Sequence, residues 1–130
     1  MKTNIATKYA LLAVGYVAQH DKEGLILSNT ISDAYGIPTE YLLKVMQALV
    51  KNGILDSKRG PRGGFTLAKP LGKTSLLEVL EAVDGLMDKS IALEEHAPKN
   101  RFAIKATNAC DKINSQTRAA FGKIKLSELV

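Results

Sequence analysis

A chain of 130 residues and 14.0 kDa can bury one core but not the two lobes of a cleft enzyme. With 45% apolar and 24% charged residues it reads as a folded globular chain, and no apolar run reaches the roughly 20 residues that cross a bilayer. The formal charge of +5 belongs wholly to the first part, since residues 1–73 carry 10 basic and 5 acidic side chains while residues 74–130 carry 8 of each, so an anionic partner is expected to meet the first part.

The opening, basic residues ahead of Tyr9 to Ala18, mimics a secretion signal. Against that, Ile5, Tyr9, Leu12, Ala13, Tyr16 and His20 recur every three or four residues and predict an amphipathic helix from about Asn4 to Gln19, with Thr3 or Asn4 as cap. Leu25 to Leu27 is expected to be extended. Ser28 then offers an N-cap for a short helix through Ala34, and Gly36 stands where a helix closes on a left-handed residue. Pro38 permits a new start, after which Tyr41, Leu42, Val45, Met46 and Leu49 repeat at helical spacing up to Asn52-Gly53. Two helices around a short glycine-containing turn read as helix-turn-helix.

Ile54 to Lys58 and Phe65 to Ala68 are strand-like runs separated by Arg59-Gly60-Pro61-Arg62-Gly63-Gly64, a β-hairpin with a basic tip. Ser75-Leu76-Leu77-Glu78 has capping-box spacing, and Leu76, Leu77, Leu80 and Val83 form the expected buried stripe of a helix stopped by Gly85. Leu86 to Ala97 lacks periodicity and reads as a linker. From Pro98, the stripe Phe102, Ala106, Ala109, Ile113, Thr117, Ala120 and Ile124 predicts a helix of about 24 residues, roughly 36 Å long. The expected division is therefore 1–85, 86–97 and 98–130.

Helix, short strand, helix, turn, helix and a two-stranded wing describe a winged helix-turn-helix, mainly α with a small β wing, whose second motif helix enters the major groove. With Leu42, Val45, Met46 and Leu49 turned inward, Thr39, Glu40, Leu43, Lys44, Gln47 and Lys51 face out. Gln47 suits adenine edges, Glu40 cytosine N4, Leu43 a thymine methyl, and Lys44 guanine or phosphate. Arg59 and Arg62 bring positive charge to a tip whose glycines allow close approach to a narrow groove. A phosphate-binding loop has weak support, because no Gly-Lys-Ser or Gly-Lys-Thr follows these glycines and a strand, not a helix, comes next. The other readings of a winged helix are a protein-interaction module, whose binding need not weaken log-linearly with salt, and a small hydrolase. The latter lacks a nucleophile and base set: the chain has two histidines and one cysteine, none in a catalytic motif.

Lys8-Tyr9-Ala10-Leu11, Gly36-Ile37 with Tyr41-Leu42, Leu49 to Leu55, Arg59-Gly60-Pro61-Arg62-Gly63-Gly64-Phe65, Thr74 to Gly85 and Lys125-Leu126-Ser127-Glu128-Leu129 resemble the Rrf2 family of bacterial transcription regulators. The resemblance implies a homodimer on a palindromic operator, a long C-terminal helix as dimer interface, Tyr41 and its neighbours near DNA, and Arg59 in a groove. The residues expected to face double-stranded DNA are Lys8, Ser28, Thr39, Glu40, Tyr41, Leu43, Lys44, Gln47, Arg59, Gly60 and Arg62. Phe102, Ala106, Ala109, Ile113 and Ala120 are expected in the dimer seam.

Members that sense iron or redox state carry three closely spaced cysteines ahead of the long helix, and residues 86–97 contain none. No iron-sulfur cluster, other metal or cofactor is therefore expected, since such clusters need thiolates. Glu94, Glu95 and His96 read as solvated linker residues, His20 as a partner of terminal carbonyls, and Cys110 as a small seam residue. A single cysteine suits a reducing cytoplasm without a disulfide framework. The expectation is a non-enzymatic cytoplasmic regulator, with an effector or a protein as its further partner.

Overall fold

Asn4 opens the first helix, α1 (Ile5–Gln19), by accepting the Thr7 N–H at 2.9 Å. The computed structural model describes residues 4–60, 63–85 and 89–130, so Thr3, the other expected cap, and Arg62 lie outside the described residues. The buried face of α1 is Thr7, Ala10, Ala13, Val14, Val17 and Ala18, which shares only Ala13 with the expected stripe: Ile5 is 46% and Leu12 41% exposed. Alanines let two neighbouring helices approach α1 closely, and the bulkier Tyr9 and Tyr16 are left half-buried at the margin of that contact.

The helix-turn-helix comprises α2 (Ser28–Tyr35) and α3 (Thr39–Lys51). Ser28 is the first helical residue of α2 and not its cap. Leu27 holds that position, its carbonyl accepting the Thr30 N–H at 3.1 Å without side-chain help. Gly36 closes α2 in the left-handed region, φ 65° and ψ 32°. Along α3, Leu42, Val45, Met46 and Leu49 are buried as their spacing requires, and they meet Ile31, Ile54, Leu55 and Val79 in one core.

Strands β1 (Leu55–Lys58) and β2 (Gly64–Leu67) pair antiparallel, with Ser57 opposite Phe65 and Lys58 opposite Gly64. Each differs by a residue from expectation. Ile54 lies before β1 while still accepting the Ala68 N–H at 3.0 Å, and β2 begins at Gly64. Ile26 adds a bridge on the other side of β2, exchanging two backbone hydrogen bonds of 2.8 Å with Phe65. The two wing glycines follow from this crowding: a Cβ on Gly63 would sit 2.2 Å from the Lys58 oxygen, and one on Gly64, at φ 151°, 2.8 Å from the Ile26 oxygen.

Helix α4 (Leu76–Asp84) buries Val79 and Leu80, and Leu76, Leu77 and Val83 are half-buried. Val79, missing from the expected stripe, is its most buried member because α4 is packed on two sides. One side meets α1 and α3, while Leu77 on the other approaches Gly122 of α5 (Arg101–Lys123). Arg118 of α5 donates to Glu81 at 2.9 Å. The chain then returns along the start of α4, Leu76 N–H to the Ile124 oxygen at 2.8 Å and Leu126 N–H to the Thr74 oxygen at 2.9 Å. The segment expected to be an aperiodic linker contains a 3-10 turn, Leu93–Glu95.

The α4 capping box is reciprocal: Glu78 N–H donates to Ser75 Oγ at 3.2 Å and Ser75 N–H to the Glu78 carboxylate at 2.7 Å. Partial burial raises the Glu78 pKa, but the Lys69 ammonium at 2.5 Å and the Ser75 N–H outweigh it, leaving the carboxyl below its ordinary 4.5. The stabilisation is then complete above that ordinary value and is lost as pH falls through the lowered folded-state value. Glu78→Gln is expected to destabilise by about 0.5–1 kcal/mol near pH 7, a small figure because both ion-pair partners are more than a third exposed. Urea unfolding at descending pH should show the gap to wild type closing once the pH falls below the ordinary carboxylate range.

Candidate nucleic-acid interface

The turn between α2 and α3 is held by a side chain. The buried Ser32 hydroxyl donates to the Ile37 carbonyl and lies 3.0 Å from Thr39 Oγ1, so it joins the end of α2 to the first residue of α3. At the other side, Tyr41 meets the ring edge of Tyr9, centroids 5.3 Å apart at 85°. Thr39 and Tyr41, expected as DNA-facing, thus also anchor α3, and each remains exposed.

Glu40, Lys44, Gln47 and Lys51 are exposed on α3, whereas Leu43, expected to face out, is half-buried. Glu40 in the first turn also suits the positive end of the helix. This face forms a ridge between two grooves. One, of about 280 Å³, is lined by Gln47 and Val50 of α3 and by Ser57, Lys58, Arg59, Gly64 and Phe65 of the wing. The other, of about 270 Å³, is lined by Ala6 of α1, Tyr41, Lys44, Val45 and Ala48 of α3, and Ala82 and Val83 of α4. Gln47 and Arg59, 12 positions apart, therefore share a groove. Lys58 joins them, a residue expected only as the end of the first strand. Its signal was the strand period: Ser57 and Lys58 flank the tip, and Lys58 pairs with a glycine that covers nothing.

Gly60 stands exposed at the tip with φ 109°. Lys8 is exposed on α1 and Ser28 half-buried at the start of α2, and neither lines the two grooves. On α5, Phe102 is 78% and Ile113 59% exposed; Ala109 and Ala120 are also exposed and Ala106 is half-buried. Ala109, Cys110, Ile113 and Asn114 line a shallow depression of about 310 Å³. His20 Nδ1 lies 2.8 Å from the Tyr16 carbonyl oxygen and its ring stacks on Tyr16, as expected of a helix-end histidine. No helix among the described residues is long and apolar enough to cross a membrane.

The chain matches the Rrf2 family, described as an iron-dependent transcriptional regulator, over residues 3–130. It is 30% identical over 130 residues to the HTH-type transcriptional regulator IscR of Xenorhabdus nematophila, covering all of this chain and 79% of that protein. It is 38% identical over 88 residues to IscR of Photorhabdus laumondii, covering 68% of this chain but just 54% of that protein. Among solved structures, CymR of B. subtilis, the global cysteine regulator, superposes with a TM-score of 0.82 at 18% identity over 99% of this chain and 95% of that one. IscR of T. potens gives 0.78 at 22% identity over 99% and 85%. These structural likenesses establish the winged-helix fold.

The donor set does not fit an iron-sulfur cluster. Residues 86–97 contain no cysteine, the chain's one thiol, Cys110, is free and exposed on α5, and among the described residues no three His, Cys, Asp or Glu side chains converge on a metal position.

Because the Ser32 hydroxyl serves both the Ile37 carbonyl and the Thr39 hydroxyl, Ser32→Ala removes two partners from a buried turn. A loss of about 1–2 kcal/mol is expected in urea unfolding.

Proposed function

Because the chain belongs to the Rrf2 family of transcriptional regulators, we propose that it reads double-stranded DNA in a sequence-specific manner, as a cytoplasmic homodimer on a palindromic operator, without an iron-sulfur cluster and without enzymatic activity. The observation that carries this reading is the shared groove of Gln47, Lys58 and Arg59 beside the exposed ridge of α3. A ridge bearing Glu40, Leu43, Lys44 and Gln47 matches the width of a major groove, and the wing beside it places a guanidinium where the adjoining narrow groove concentrates negative potential. Residues 1–85 form the reading head and 98–130 the dimer arm, joined by 86–97. Gln47 and Glu40 discriminate base edges. Lys44, Tyr41 and Lys58 meet phosphates or guanine, and Lys8, Ser28, Thr39 and Gly60 meet the backbone.

Dimerisation supplies the second half-site. In such dimers the two recognition helices address half-sites one helical turn, about 34 Å, apart. Phe102, Ala109, Ile113 and Ala120 present an apolar stripe on α5 that this chain leaves uncovered, which fits a two-fold seam.

Fluorescence anisotropy on selected and scrambled duplexes across a salt series tests the DNA reading. Arg59→Ala is expected to cost about 1–3 kcal/mol of affinity, with an unchanged circular dichroism spectrum. Gln47→Ala should relax sequence preference more than it lowers non-specific affinity. If both variants bind the selected duplex like wild type, the protein-interaction module takes its place.

Light scattering should give twice 14.0 kDa. Ile113→Asp should shift that species toward the monomer by placing a charge in the seam.

A further inference from the structure

The links of α5 to the reading head lie in its C-terminal half, at Arg118 and Gly122. Its N-terminal half is met by residues 89–96. There the buried Thr107 accepts the Leu93 N–H at 3.1 Å, and one turn along Asp111 accepts the Ser90 hydroxyl at 2.9 Å. Ser90 Oγ in turn accepts the Ala92 N–H at 3.1 Å. Asp111 Oδ1 is buried without a partner among the described residues, so Ser90 carries that carboxylate's placement. These bonds straddle Ala92, whose φ of 47° places an L side chain in the left-handed region. Such a residue costs of order 1 kcal/mol and persists where its surroundings hold it.

We infer that Thr107, Asp111 and Ser90 form a metal-independent strap that fixes residues 89–96 on α5 and thereby stiffens the free half of the dimer arm. The inference rests on α5 being the dimer arm in that its stiffness then matters to half-site spacing. The fastening itself rests on bonds within one chain. Thr107 also holds the Glu94 carboxyl below its ordinary range.

Amide hydrogen exchange of chelator-treated protein, read residue by residue without DNA, tests the strap separately from DNA reading. In wild type the Leu93 amide should be protected, and ferrous iron should not change its rate. Thr107→Val should accelerate Leu93 and the α5 amides near it about tenfold, leaving those near Arg118 unchanged, while Thr107→Ser should behave as wild type. Protection that appears upon iron addition, or equal rates in the Val and Ser variants, overturns the strap. Acceleration at Leu93 alone, with α5 unaffected, overturns its role in stiffening the arm. Should Thr107→Val fail to fold, Ser90→Ala at an exposed position serves instead: Ala92 should then exchange severalfold faster, and an unchanged rate overturns the proposal.

Discussion

Two backbone hydrogen bonds between Ile26 and Phe65, each 2.8 Å, decide where the wing stands against the helix-turn-helix. A two-stranded hairpin is marginal alone, and this bridge makes β2 the middle of three extended segments. It brings the Ile26 backbone so near the wing that residue 64 has no room for a Cβ, and it fixes the point from which the chain enters α2. With β2 placed, Phe65 and Arg59 are placed, and the groove they share with Gln47 exists because of it.

Periodicity was sufficient for the elements that bury one face. The apolar positions of α3 were legible because all four meet a single core, and the Ser75 to Glu78 box because both halves of it are local in sequence. The misreadings occurred where one element serves two neighbours or where packing selects small residues. Val79 is buried since α4 lies between the head and α5, an arrangement that no pattern within nine residues encodes. On α1 the expected stripe included Ala13 but took Ile5 and Leu12 in place of Ala10, Val14 and Val17, whereas close helix contact favours the small residues.

The same contrast holds at the candidate site. The outward residues of α3 and the basic tip could be read from spacing and composition. Their convergence could not, because it depends on how β1 and β2 pack against α3, with Phe65 of the groove paired to the distant Ile26. Ser32 looked like a helix residue and proved to be the fastening of the turn, since a hydroxyl one turn before a glycine cap reaches the carbonyl that leaves it. Thr107 was hidden similarly: a lone buried hydroxyl on an otherwise polar helix face has no sequence signature, and its meaning comes from a strap 14 residues earlier.

Charge segregation joins these parts into a consistent physical design. All of the +5 lies within residues 1–73, whereas residues 74–130 balance 8 basic against 8 acidic side chains. That balance is uneven, since α5 itself carries 5 basic side chains against 1 acidic one, so in the proposed dimer the apolar stripe of Phe102, Ala109 and Ile113 has to outweigh a repulsion between the two arms. In the proposed complex, DNA neutralises the basic residues of the two heads and gains counterion release. A stiff arm would make that dimer effective: with α5 held to α4 through Arg118 and Glu81 at one half and by the proposed strap at the other, the spacing of the two ridges would be set before DNA is met, and less of the binding energy would be spent on ordering.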